Sequence, residues 1–452
     1  MKSFLPLGLL SLALAAELNA SAALKFTVVP DHADSLYACG EEAVVTVTVS
    51  DTNDAPVKAG AFTVRLDNFG AKESWSKSFD LAKTPDRRFT FKTTRATPGF
   101  MRLTFRSKEL VVDNSGKLAD KRGNASHSYV WGIGFEPEKI VQGVKRPNDF
   151  DAFWADAVRK FDAEVPEDIR LTKDESKSKG ACNTYRVSVL TVGGRHVYGF
   201  LSIPKQPGKY PVRITVPGAG PGAPSVGYAP KAITLLMNVH YYEVSPNEEE
   251  TKRMYAEQDR EWGGKYGVRR YCLAGIWESR EAYFYYGALL GINRMVNWLA
   301  RRPEVDLKDF SYNGTSQGGG FGFYLTGLNK HITHACIFVP AITDLQSRHV
   351  EGRQSGWPGI VEEQKAEHKP AAERNAPYFD AANFAARITV PVRVVVGLSD
   401  VTCPPHAVYA GYNAIPAKDK KIIPAPGMPH SVFRRHYDEL RAWQTGLYGA
   451  GK

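Results

Sequence analysis

Residues 309–321 read DFSYNGTSQGGGF. Ser316 stands between Gly314 and Gly318, after a short run of strand character and ahead of FGFYLTGL, which suits a helix. In a parallel sheet covered by helices, a sharp turn from strand to helix projects one side chain at the carboxyl edge. Gly-x-Ser-x-Gly is the sequence form of that turn. The glycines relieve crowding where the chain folds back, and the serine takes the strained apex. Whether Ser316 is a nucleophile or a serine in a flexible turn depends on the chain around it.

Apolar strand candidates alternate with helical segments on both sides of the motif. Upstream lie the amphipathic helix NDFDAFWADAVRKFDAEV (148–165) and the run TYRVSVLTVGGRHVYGFLSIP (184–204), with a hairpin turn at Gly193 and Gly194. The strands YPVRITVPG (210–218) and TLLMNVHYYE (234–243) follow, then the strongly periodic helix REAYFYYGALLGINRMVNWLARRP (280–303). HACIFVP (334–340), VPVRVVVG (390–397) and KKIIPAP (420–426) continue the strand series. This alternation predicts an α/β fold, a mostly parallel sheet with helices on both faces, over residues 148–452.

Residues 23–135 follow another rule. ALKFTVVP, EAVVTVTVSD, AFTVRLDN, RFTFKTT and GFMRLTFRS alternate apolar with polar, punctuated by Asn, Asp, Gly and Pro. That pattern predicts an all-β, immunoglobulin-like sandwich, an accessory domain for spacing, oligomerisation or sugar contact. Residues 136–147 are expected to be a linker. The first 22 residues combine Lys2, an apolar run from Phe4 to Ala16 and the small residues Ala20, Ser21 and Ala22. They read as a cleaved signal peptide, because the apolar run is short of the about 20 residues that cross a bilayer. The expectation is a secreted or periplasmic protein with no transmembrane segment after cleavage.

The net charge of +10 is scattered, without a Lys- or Arg-rich block, so no nucleic-acid partner is expected. Five widely spaced cysteines, Cys39, Cys182, Cys272, Cys336 and Cys403, contain no Cys-x-x-Cys pair. They read as buried free thiols rather than metal ligands or a disulfide scaffold.

A serine hydroxyl attacks a carbonyl only when a base takes its proton, and that base needs an orienting carboxylate. In the hydrolase order the carboxylate and histidine follow the serine, each in a loop after a later strand. VPVRVVVG runs into Leu398, Ser399 and Asp400, and KKIIPAP runs into Gly427, Met428, Pro429 and His430. Asp400 and His430 are therefore placed on the edge that carries Ser316. Asp344 lies one strand too early and Asp380 has no strand before it, while His406 and His436 sit nearer helical segments. The oxyanion donors are expected to be the backbone N–H of Gln317 and that of Ala219, beside Gly218 in the loop after YPVRITVP. Gly218 and His240 are placed at the substrate-binding wall, His240 because it ends a strand near the mouth.

With these residues in view, the chain from about Arg146 onward resembles the acetyl xylan esterase / cephalosporin C deacetylase family of α/β-hydrolases. The resemblance rests on RPNDFDAFW, the long helix followed by RPEVD, GTSQGG, GLSDVTCPP and the histidine loop. It implies removal of acetyl groups from sugar hydroxyls by Ser316, Asp400 and His430, without a metal or organic cofactor. The chain departs from the family at Pro217, where His usually precedes the glycine, and at Ser431, where Glu commonly follows the histidine. The expected partner is an acetylated polysaccharide or oligosaccharide of plant type such as xylan, with a homo-oligomer left open. Two alternatives stand: the same triad on a feruloyl ester, glucuronoyl ester or peptide, and a carbohydrate-binding or assembly protein with a vestigial triad.

Overall fold

The computed structural model describes residues 23–84, 86–113, 126–221, 226–243, 245 and 247–448. The segment read as a signal peptide lies outside them. The N-terminal part contains β1 (Leu24–Pro30), β2 (Leu36–Tyr37), β3 (Ala43–Ser50), β4 (Ala61–Asp67), β5 (Glu73–Asp80), β6 (Arg88–Thr93), β7 (Gly99–Ser107), β8 (Val111–Val112) and β9 (Ser128–Phe135). They form a four-stranded sheet, β6-β3-β1-β8, and a five-stranded sheet, β2-β9-β7-β4-β5. Alternate residues such as Val45, Val47, Val64 and Leu103 enter one core, and Phe26 of the first sheet meets Phe62 of the second edge to face at 5.3 Å. The period-two pattern thus becomes two sheets sharing a buried layer.

The remainder forms a nine-stranded sheet from β10 (Ile169–Lys173), β11 (Cys182–Leu190), β12 (His196–Pro204), β13 (Tyr210–Val216), β14 (Ile233–Met237), β15 (Val305–Thr315), β16 (His334–Phe338), β17 (Val392–Gly397) and β18 (Lys420–Ala425). Their order is β10-β11-β12-β14-β13-β15-β16-β17-β18. The pairs from β10 through β14 at one edge are antiparallel, and the six strands from β14 to β18 run parallel. Among the described residues, eight α-helices accompany the sheet: α1 (Phe150–Glu164), α2 (Glu248–Tyr266), α3 (Phe284–Ala300), α4 (Gln317–Leu328), α5 (Lys369–Asn375), α6 (Ala381–Ala385), α7 (Pro405–Asn413) and α8 (Arg434–Tyr448).

Both faces of the central strands are covered. Ala335, Ile337, Val394 and Val396 join the large core that also takes α1, α3, α4 and α6. Their neighbours Cys336, Phe338 and Val395 face the other way, onto Met428 of the loop after β18 and Leu440 of α8. A strand buried on both faces has no polar positions to alternate with, which is why HACIFV and VRVVVG read as continuous apolar runs. In α1, Phe150, Trp154 and Phe161 recur on one face and are buried, and Trp154 Nε1 donates to the Tyr378 carbonyl at 2.9 Å.

The segment 136–147 is bound along its length to the second part. Ile140 is buried, Gly143 N donates to Asp344 Oδ1 at 2.7 Å, and Asn413 Nδ2 donates to the carbonyls of Pro137 and Ile140. The long helix α2 falls in a stretch to which the sequence patterns assign no element. It carries Glu248, Glu249 and Glu250 in its first turn, capped by Asn247, and buries few residues, Gln258 and Trp262 among them. All five cysteines are free thiols; Cys182, Cys272, Cys336 and Cys403 are buried and Cys39 is partly exposed.

Candidate active site

Because β13, β15, β17 and β18 run parallel in register, the loops that follow them leave from one edge of the sheet. Ser316 follows β15 directly and occupies φ 58, ψ −120, a conformation that a residue with a Cβ adopts at a cost of about 1–3 kcal/mol. The turn is held open to that geometry by its neighbours. Ser316 N donates to the Phe338 carbonyl at 3.0 Å, and its own carbonyl accepts from Gly320 N and Ala341 N. A Cβ on Gly314 would lie 2.3 Å from the Gly318 carbonyl oxygen, and one on Gly318 would lie 1.9 Å from the Val216 oxygen. The two glycines of the motif are thus required by close approach of backbone to backbone.

Ser316 Oγ lies 2.9 Å from His430 Nε2, and His430 Nδ1 lies 2.7 Å from Asp400 Oδ2. The other carboxylate oxygen of Asp400 accepts from Thr402 N at 2.8 Å and Cys403 N at 2.9 Å. Asp400 is fully buried and the His430 side chain keeps 11% of its surface open. A buried carboxylate with three donors fixes the imidazole so that Nδ1 carries the proton and Nε2 faces the hydroxyl as acceptor. The two loops are also tied together, since Ser399 N donates to the Met428 carbonyl at 3.2 Å.

The competing residues stand outside this hydrogen-bonded chain. Asp344 accepts from Arg353 Nη2 at 2.9 Å, and Asp380 accepts from the N–H groups of Asp344, Leu345 and Ala382. Burial and the adjacent Asp344 carboxylate push the pKa of Asp380 up to about 7. His406 is buried with Nε2 on the Gln354 carbonyl, and burial pulls its pKa well below the ordinary value. His436 is likewise buried on α8, with a pKa lowered by burial.

The loop after β13 runs beside the serine: a Cβ on Gly218 would lie 3.7 Å from the Thr315 oxygen and 3.8 Å from Ser316 Cβ. Ala219 is exposed on that loop. Gln317 is the first residue of α4, so its N–H is among those that no intrahelical carbonyl takes. Its side chain is fully buried. The Gln317 Oε1 accepts from the Tyr271 and Tyr285 hydroxyls, each at 2.6 Å, and its Nε2 donates to the Pro217 carbonyl at 3.4 Å. Two tyrosines therefore orient an amide that ties the serine turn to the facing loop.

His240 departs from expectation. It is 1% exposed and does not stand on an open pocket wall. Gln258 Nε2 donates to its Nδ1 at 2.8 Å, which leaves Nε2 to donate to the Gly220 carbonyl at 3.4 Å. Gln258 is oriented in turn by the Tyr241 N–H on its Oε1. Burial lowers the His240 pKa to about 3, so the ring is neutral and holds the loop as a donor. The loop 217–220 is thus anchored at both ends, by Gln317 on Pro217 and by His240 on Gly220. Neither anchor was read from the sequence: Tyr285 lies within the strongly periodic helix, and Tyr271 and Gln258 lie in segments that carry no site pattern.

Gln317→Ala removes the shared acceptor of two buried hydroxyls while leaving the backbone donor in place. The expected loss is about 1–3 kcal/mol of stability for each orphaned hydroxyl. A tenfold or greater fall in kcat should accompany it as Pro217 is released. Thermal unfolding and ester hydrolysis measured together check this, and full activity at wild-type Tm would reject the anchor.

Among the described residues, one set of three metal-ligand types comes together, Asp400, Cys403 and His430, with ligand atoms within 4.8 Å of one another. Two ligands of a tetrahedral zinc stand about 3.3 Å apart at bond lengths of about 2.0 Å. The 2.7 Å between Asp400 and His430 is closer than that and is a hydrogen bond.

The chain is similar to known proteins over most of its length. Residues 139–447 match the family model described as Acetyl xylan esterase (AXE1). The acetyl esterase Axe7A of Xylanibacter ruminicola is 29% identical over 426 residues, covering 92% of this chain and 89% of that protein. Among solved structures, acetyl xylan esterase 1 from Thermoanaerobacterium sp. JW/SL YS485 superposes with a TM-score of 0.57 at 21% identity, over 70% of this chain and 98% of that one. The acetyl xylan esterase from Paenibacillus sp. R4 gives 0.57 at 22% identity, over 69% and 98%. These two share the fold of the nine-stranded part. With the α/β-hydrolase sheet and the family match over residues 139–447, the chain belongs to the acetyl xylan esterase family and is a serine carboxylesterase.

Proposed function

We propose that the protein is an exported esterase that removes O-acetyl groups from xylan or a related plant polysaccharide, with Ser316, His430 and Asp400 as its triad. The observation that carries the reading is the unbroken chain from Ser316 Oγ through His430 to the buried Asp400, at 2.9 and 2.7 Å. His430 takes the serine proton as Oγ bonds to the acetyl carbonyl carbon. The negative charge that forms on the carbonyl oxygen rests on the N–H groups of Gln317 and Ala219. As the tetrahedral intermediate collapses, the bond to the sugar oxygen breaks and His430 returns its proton to that oxygen. Water then repeats the sequence on the acetyl-enzyme, releasing acetate and free Ser316.

The apolar start of the chain supports export, with residues 1–22 as the cleaved signal. No helix among the described residues is long and apolar enough to cross a membrane. The test of the substrate is acetate release from acetylated xylan, set beside p-nitrophenyl esters of increasing acyl length. Release from xylan with rates that collapse beyond acetyl is the expected result. Preference for feruloyl, glucuronoyl or peptide substrates would keep the chemistry and reject the substrate; serine-independent release would reject the mechanism.

A further inference from the structure

The His430 loop forms one wall of a cavity of about 260 Å³, and the opposite wall comes from the N-terminal sheets. Thr402, Pro429 and His430 face Ser128, Tyr129 and Val130 of β9 across it. The family match begins only at residue 139, so the β9 wall lies outside the part shared with the family as a whole.

The two walls are held rigidly. A Cβ on Gly132, two residues along β9 from Val130, would lie 1.8 Å from the Leu398 carbonyl oxygen. One on Gly427 would lie 2.7 Å from the Trp131 ring and 3.4 Å from the Tyr129 hydroxyl. Backbone of β9 therefore rests directly on the loops that carry Asp400 and His430. Further contacts fix the seat: Gln354 N donates to the Phe69 carbonyl at 2.8 Å, and Arg95 pairs with Glu351 at 3.0 Å. Phe69 and Phe100 belong to the same core as the hydrolase sheet. A domain joined only for spacing has no need of such an interlock beside the reacting groups.

We propose that the N-terminal sandwich completes the active site, β9 and the His430 loop together forming a subsite for the sugar ring that bears the acetyl ester. The proposal rests on the esterase reading above. His430 must return a proton to the departing sugar oxygen, so the ring carrying that oxygen lies against His430, and this cavity adjoins it. The lining suits a pyranose, which presents hydroxyls at its rim and C–H groups on its faces. Ser128, Tyr129 and Thr402 offer hydroxyls, Asp113 a carboxylate, and Val130 and Pro429 apolar surface. Its volume falls a little below the roughly 300–1,000 Å³ of pockets that take drug-sized ligands, a size for one ring rather than a long acyl chain.

The experiment compares kcat/KM on an acetylated xylo-oligosaccharide with that on p-nitrophenyl acetate, whose leaving group is no sugar. Full-length wild type, Val130→Trp, which fills the cavity, and Tyr129→Phe, which removes one hydroxyl, are assayed, with Tm checked for each. The ratio of sugar to aryl ester should fall at least tenfold in Val130→Trp and about threefold or more in Tyr129→Phe, chiefly through KM. Should Val130→Trp not fold, Tyr129→Phe decides alone. A ratio within twofold of wild type, or equal losses on both esters, would overturn the subsite and leave the esterase standing. Absence of Ser316-dependent hydrolysis of either ester in wild type would instead overturn the esterase reading, and the subsite with it.

Discussion

Ser316→Ala is expected to lower kcat on acetyl esters by about 10⁶-fold, the loss seen when a serine nucleophile is removed from a working triad. The adjacent hydroxyl is turned elsewhere: Thr315 Oγ1 lies against the Tyr437 hydroxyl at 3.4 Å. The fold should be untouched. The backbone of residue 316 is held by its N–H on Phe338 and by its carbonyl, which accepts from Gly320 and Ala341, and alanine keeps all three bonds. Alanine also keeps the Cβ, so the left-handed apex is neither relieved nor worsened. Acetate release and thermal unfolding should therefore separate cleanly, with activity gone and Tm close to wild type. Retention of more than a hundredth of the wild-type rate would remove Ser316 from the mechanism.

Gly318→Ala should damage the same site through the backbone. The added carbon would meet the Val216 oxygen at 1.9 Å and the Pro217 oxygen at 3.2 Å, and neither is the end of a flexible side chain. The start of α4 and the loop after β13 must move apart. Those two segments carry the Gln317 and Ala219 N–H groups, whose spacing sets the proposed oxyanion site. A displacement of about 1 Å at a reacting centre costs on the order of 10²-fold in rate. Overpacking of this kind adds about 1–3 kcal/mol of destabilisation, or more where backbone is the obstacle. We expect at least a hundredfold loss of kcat together with a Tm lowered by several degrees. An enzyme of normal rate and stability would show that the two segments are not in the contact described.

Much of the site could be read because its signals are local. Strand FSYN, the glycine-flanked serine and the helix-compatible residues after it lie within about twenty residues, and each later strand runs straight into its loop. Parallel pairing then brings the three loops to one edge without further instruction, since a right-handed crossover leaves little choice of arrangement. The linker shows the limit of such reading. Residues 136–147 lack a pattern of their own, and their order comes from Asp344, Arg353 and Asn413, more than 200 positions away.

His240 shows the same limit at the site itself. Its position at the end of a strand made a place on the pocket wall reasonable, but burial depends on what covers it. The cover is α2, whose turns bear mostly charged residues and whose buried Gln258 marks no apolar period. The Tyr271–Gln317–Tyr285 cluster was hidden for a related reason: the residues around a tyrosine do not announce the direction of its hydroxyl.

By itself, then, the amino-acid sequence determined the alternation that builds the sheet and the order of Ser316, Asp400 and His430 along the chain. These follow from periodicity and from turn chemistry, which act over a few residues. Only the tertiary structure decided that His240 is a buried anchor for the 217–220 loop. It also decided that Gln317 joins that loop to the serine turn, and that β9 walls the cavity beside His430. Each is a contact between segments 20 to 100 or more residues apart. Such contacts are set by how faces pack and which polar atoms are left to pair once water is excluded, and no local pattern records them.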